Sequence, residues 1–207
     1  MDYIFDAFEP AFMQRALIGS LIAVAATSLV GTWVVLRGLA FLGDALAHGV
    51  IPGIALAVLW GFNPIIGAFV AALVMSGLVG VVSTRTVVRE DTAIGLLFVG
   101  MLSLGIVIVS RARSFSTEVT ALLFGDVLGV TVSDIRTQAV ATAVVALTTV
   151  VFYRPFLALT FNRAKAQTLG MRPHLAQTVL LVLLALSIVA SFQTIGTLLV
   201  FGLLVGP

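Results

Sequence analysis

An aspartate and a histidine four positions apart sit where neither is easily accommodated. Asp44 and His48 lie in Leu39-Ala40-Phe41-Leu42-Gly43-Asp44-Ala45-Leu46-Ala47-His48-Gly49-Val50-Ile51-Pro52-Gly53, inside a long apolar stretch. An aspartate near the centre of a membrane helix costs roughly 2.5–3.5 kcal/mol on insertion scales, so it is by default a functional candidate. Residues i and i+4 project from one face of a helix. A carboxylate and an imidazole held together at low dielectric form half of a transition-metal site. The same couple could instead fix helix packing or relay protons, and residue chemistry alone leaves these alternatives open. Pro52 has no N–H and would strip the His48 carbonyl of its helix partner, while Gly49 and Gly53 ease unwinding. Two ligands do not complete a site, since Zn²⁺ usually takes four. A symmetric dimer with Asp44 and His48 of both copies facing one pore would supply four. Ligation needs neutral imidazole and ionised carboxylate, so acid is expected to depress it.

Other polar stretches are less pointed. Phe161-Asn162-Arg163-Ala164-Lys165-Ala166-Gln167-Thr168-Leu169-Gly170-Met171-Arg172-Pro173-His174-Leu175 is short, mixed and basic between two apolar runs. Its alanines, with Gly170 as a stop and Pro173 beyond, predict a short helix ended by a turn. That segment reads either as an ordinary loop or as a coupling helix seated in a groove of a cytoplasmic ATPase. In Arg89-Glu90-Asp91-Thr92-Ala93-Ile94-Gly95, Asp91 or Thr92 is placed to cap the fourth helix. Asp126, in Leu122-Leu123-Phe124-Gly125-Asp126-Val127-Leu128-Gly129-Val130, lines an outer vestibule or occupies a turn. His174 follows a proline in a loop and is expected to be solvent-exposed.

The elements that must hold these residues are set by composition. Apolar residues are 60% of the 207 positions and charged residues 10%. A soluble domain carries about 25% charged residues, so the chain is read as a membrane protein. With no cysteine, thiolate sites and disulfides are excluded. The basic residues are scattered, which gives nucleic-acid binding no support. The acidic start, Met1-Asp2-Tyr3-Ile4-Phe5-Asp6, is unlike a cleavable signal peptide.

Hydropathy predicts six spanning segments, roughly 12–36, 39–60, 63–82, 93–110, 137–153 and 175–207, in one domain over 1–207. The fold class is thus an all-α polytopic bundle. A shorter apolar piece, Val119 to Val132, is expected to be re-entrant or interfacial. With the N-terminus outside, the inner loops hold Arg37, Arg85, Arg89, Arg154, Arg163, Lys165 and Arg172, and the outer side holds only Arg15, Arg111, Arg113 and Arg136. The positive-inside rule therefore favours this orientation. Small residues at Ala23, Ala26 and Thr27, at Gly67 and Ala71, and at Ser76 and Gly80 suit close helix packing. Ser191-Phe192-Gln193-Thr194-Ile195-Gly196 is polar enough to predict a break in the last helix.

These stretches together resemble the manganese/zinc/iron family of bacterial ABC-importer permeases. The likeness runs in order over nearly the whole chain, through the segment from Arg37 to Gly53, then Glu90-Asp91-Thr92-Ala93-Ile94-Gly95, Phe124-Gly125-Asp126-Val127-Leu128-Gly129 and Gln193-Thr194-Ile195-Gly196-Thr197-Leu198-Leu199-Val200. It implies a homodimeric permease in a bacterial inner membrane, working with two cytoplasmic ATP-binding subunits and an extracytoplasmic metal-binding protein. It implies that Asp44 and His48 contact the transported Zn, Mn or Fe ion, with no cofactor bound permanently. The loop holding Ala164, Lys165, Ala166, Gly170 and Met171 would match the family's ATPase-coupling segment. Ala47 and Gly49 stand where serine and alanine are expected, and Asp126 where asparagine is common, so metal preference transfers less directly. Members usually continue well beyond Pro207, so further helices are expected.

Rival readings meet specific obstacles. An ATP-independent metal or proton-coupled carrier would also place Asp and His in the membrane, but has no use for the 161–175 segment. An aspartyl intramembrane protease wants Gly-x-Gly-Asp, whereas Phe41 and Leu123 occupy the first glycine's place. His-Glu-x-x-His and Walker A sequences are both absent, so any ATP hydrolysis belongs to a partner.

Overall fold

Long apolar runs satisfy their backbone in a bilayer only as helices or closed barrels, and helices form here. The structure, a computed structural model, describes residues 10–85, 90–111, 130–161, 166–167 and 170–205. In chain order the helices are α1 (Ala11–Leu36), α2 (Ala40–Gly49), α3 (Ile51–Trp60), α4 (Pro64–Arg85), α5 (Glu90–Arg111), α6 (Val132–Val151), α7 (Tyr153–Phe161) and α8 (Pro173–Val205). Among the described residues, 6 segments are long and apolar enough to cross a membrane, α2 and α3 together forming one. This is the all-α polytopic bundle expected.

α8 is the hub. It runs along α1 and also touches α2, α4, α6 and α7. Its face of Leu180, Leu184, Ala185 and Ile188 is buried against Val30, Val34, Leu42, Leu46 and Met75 of its neighbours. α2 lies between α8 and α5, while α3 packs on α4 and α5. α5 and α6 bury the smallest share of their surface, α8 and the α2–α3 pair the largest. The pair carrying the costly aspartate is therefore among the most enclosed spans.

Three helix ends share one device. Gly38, Gly61 and Gly170 take φ of 69°, 72° and 71°, a left-handed conformation that glycine adopts without a Cβ penalty. At each, two N–H groups fold back: Gly38 to the Val35 carbonyl with Leu39 to Val34, Gly61 to Val58 with Phe62 to Ala57, and Gly170 to Gln167 with Met171 to Ala166. This is the Schellman closure. Gly170 thus closes the turn before α8, at the position the sequence marks as a stop.

The second span breaks at Val50, which separates α2 from α3 with φ −79° and ψ −17°. Pro52 causes it, since a proline there cannot donate to residue 48 and sits well only in a first turn. With no N–H at Pro52 the His48 carbonyl loses its usual helix donor, as the sequence predicts, and the N–H nearest to it is that of Val50 at the end of α2. Beyond the break α3 is held firmly. Gly53 and Gly67 meet backbone to backbone, each carbonyl filling the space a Cβ would need on the other, the close approach that small residues permit in membranes.

Several expectations need correction. α6 starts at Val132, not near 137, because Thr131 and Asp134 form a reciprocal capping box. The sequence predicts one segment to about 153 and loop beyond it, where the structure has the end of α6 and then α7. Pro155 would have to donate to the Val151 carbonyl, so α6 stops there and the chain restarts as α7. Trp33 of α1 anchors α7, with ring centroids 5.5 Å from Tyr153 and 5.6 Å from Phe156. α8 continues unbroken through 191–196; Ser, Gln and Thr each lower helix propensity by only about 0.7 kcal/mol or less and Gly by about 1 kcal/mol, and no proline interrupts the run. α5 starts at Glu90, so Asp91 and Thr92 lie in its first turn and not at its cap. Ser76 is buried, whereas nothing lies within 4 Å of a Cβ added at Gly80, which makes no tight helix contact; both line a cleft of about 360 Å³ between α4 and α8.

Candidate metal-contact site

α2 forms its helix from Leu42, Ala45, Leu46 and Gly49, which are buried toward α8 and α4. That register leaves Phe41, Asp44 and His48 on the other face. His48 Nε2 stands 3.4 Å from Asp44 Oδ1, and the two side chains are 23% and 28% exposed. The pair is thus neither sealed in the core nor open to bulk, and it is reachable by an ion or by another chain.

The separation is informative. It exceeds the 2.7–3.2 Å usual for an N–H···O bond, so the contact is loose. Two ligands each about 2.1 Å from a tetrahedral ion stand about 3.4 Å apart. The imidazole and carboxylate therefore already span one edge of such a coordination shell. Among the described residues no group of three or more His, Asp or Glu comes together, so those residues offer two side-chain ligands at the spot.

The surroundings hold the pair from two sides. Phe98 of α5 meets the His48 ring edge-on, with centroids 5.9 Å apart and planes at 61°, and meets Phe41 at 6.0 Å and 70°. Gly95, one turn before Phe98, lies against the Phe41 ring. On the buried side the sulfur of Met75 fills the place of a Cβ at Gly49. Phe98 and Met75 were not singled out in the sequence. Each lies in an apolar run, and nothing local separates such a residue from a lipid-facing one.

The other candidates lie apart from this pair. Ala166 is buried, Gly170 exposed and Met171 half-buried in the turn that leads into α8. Ala164, Lys165 and Asp126 lie outside the described residues, as does most of the 119–132 piece. Asp91 is exposed in the first turn of α5, and His174 is exposed at the start of α8 beside the α4–α8 cleft.

Comparison with known proteins extends the picture. A family model described as the ABC 3 transport family matches residues 9–207. The manganese transport system membrane protein MntC of Halalkalibacterium halodurans is 34% identical over 208 residues, covering 100% of this chain and 71% of that relative. A probable iron transport system membrane protein of Haemophilus influenzae is 35% identical, covering 100% of this chain and 76% of its own length. Among solved structures, PsaBC from Streptococcus pneumoniae in complex with Fab matches with a TM-score of 0.82 and 31% identity, over 99% of this chain and 73% of that one. An inward-facing putative metal-chelate type ABC transporter at 14% identity, TM-score 0.60, shares the fold.

Proposed function

The chain belongs to the ABC 3 transport family, and from that premise we propose that it is the permease of an ATP-driven importer of divalent transition metal ions, with Asp44 and His48 contacting the ion. One observation carries the reading: the 3.4 Å pair on a half-buried face of an interrupted span. The relatives' manganese and iron transport names support the cargo class. Imidazole with carboxylate suits Zn²⁺, Mn²⁺ and Fe²⁺ alike, and geometry and availability choose among them.

Two ligands bind weakly enough for an ion to leave as well as enter, which transport requires. A second copy placing its own Asp44 and His48 across a shared pore raises the set to four, and the partial exposure of both side chains leaves room for that. ATP is bound by separate cytoplasmic subunits that grip the segment from 161 to 175, and an extracytoplasmic binding protein delivers the ion. Closure of the ATPases reorients the pore helices around the pair, giving alternating access. The protein sits in a bacterial inner membrane with its N-terminus outside.

The test is uptake of Zn²⁺, Mn²⁺ and Fe²⁺ into proteoliposomes holding the complete permease, its ATPase and its binding protein. Asp44→Asn and His48→Ala are each expected to cut ATP-dependent uptake by roughly tenfold or more, since even the outer partners of metal ligands reach that scale. Wild-type rates in both assembled variants would move the ion path elsewhere. Uptake that persists without ATP would favour a secondary carrier.

A further inference from the structure

We propose that Phe98 is a positioning residue of this site, holding the His48 imidazole in the rotamer that presents Nε2 to the ion. The inference rests on the Asp44–His48 reading. Histidine χ2 is broad and roughly two-fold, so an imidazole on a partly exposed helix face does not fix its own plane. Metal-bound histidines usually gain that fixity from a hydrogen bond to the second ring nitrogen. Here the described contacts of His48 are the loose one to Asp44 and the ring of Phe98. The Phe98 ring stands at 61° to the imidazole, the tilted, edge-on arrangement that aromatic quadrupoles favour.

Phe98 is itself fixed. Its ring packs at 70° against Phe41, one turn before Asp44 on α2, and Gly95 gives Phe41 space beside α5. Phe41, Phe98 and His48 thus form a three-ring clip between α2 and α5. Its middle member lies on a different element from both metal-contact residues. A phenyl ring brings no ligand atom, so it acts on the ion only through the direction in which it holds the imidazole, and the ligand count stays low, as a site that must release its cargo requires. Any shift of α5 against α2 alters the ring contact first and the ligand direction with it.

The experiment uses the complete permease–ATPase complex and equilibrium binding of Mn²⁺ and Co²⁺, with the Co²⁺ absorption spectrum reporting coordination geometry. Phe98→Leu keeps apolar bulk and loses the ring; Phe98→Tyr keeps the ring. Phe98→Leu is expected to weaken binding roughly tenfold and to change the Co²⁺ spectrum, with Phe98→Tyr close to wild type. A Phe98→Leu complex with unchanged affinity and spectrum would overturn the proposal, leaving Phe98 a packing role. So would Leu and Tyr variants altered equally. Asp44→Asn and His48→Ala run alongside separate the two levels: if they too bind normally, the site reading itself fails, whereas loss in them with normal Phe98→Leu binding removes only the Phe98 role.

Discussion

At the scale of single residues, position decides what a side chain is worth. Gly53 and Gly77 are both helical glycines in membrane spans, yet a Cβ at Gly53 collides with the Gly67 carbonyl and at Gly77 meets nothing within 4 Å. Gly53→Val is expected to lower stability by about 1–3 kcal/mol through overpacking against backbone that cannot swing aside. Gly77→Ala is expected to be neutral or to stabilise by up to about 1 kcal/mol, by restricting the unfolded chain. Thermal unfolding in detergent checks both, and equal effects would contradict the contact. Asp44 and His48 were legible in the sequence for a related reason. A carboxylate in an apolar run is conspicuous by its cost, and four-residue spacing needs only helix geometry to become a pair. Phe98 was not legible, because its neighbour is on another helix and a phenylalanine in Ala93–Val107 costs nothing wherever it points.

At the scale of elements, the apolar runs gave five of the spans to within a few residues, because backbone satisfaction in lipid leaves little choice. The misreadings were at ends. Ser133, Asp134 and Arg136 looked like loop, but Thr131 with Asp134 starts α6 a full turn earlier. Thr131→Ala is expected to cost about 1 kcal/mol of stability, read as earlier loss of helix on heating, with Thr131→Ser close to wild type. α7 escaped notice because it follows α6 after Phe152 alone, and its docking comes from Trp33, some 120 positions earlier. Ser191 to Gly196 misled in the opposite direction: their composition suggests a break, yet no proline is present to force one and α8 runs on. Composition signals preference; contacts across the bundle decide.

At the scale of the whole molecule, the bundle combines a firm body with one interrupted span. α3 is pinned to α4 at Gly53 and Gly67, and α8 is buried along much of its length. The break at Val50 is where the helix of this span is interrupted, and a change of shape within the span is expected there. Pro52→Ala restores the missing N–H and favours a continuous helix. It is expected to slow the maximum rate of ATP-driven uptake several-fold while leaving the half-saturating metal concentration nearly unchanged. Uptake kinetics in proteoliposomes check this, and a changed half-saturation at unchanged maximum rate would contradict it. That same break sets unequal levers. Val50 lies two residues from His48 and six from Asp44, about 3 Å and 9 Å along a helix axis. Any swing of α2 about that pivot moves the backbone that carries the carboxylate further than the backbone that carries the imidazole. Two ligands that look equivalent at rest therefore sit at different radii of one wheel.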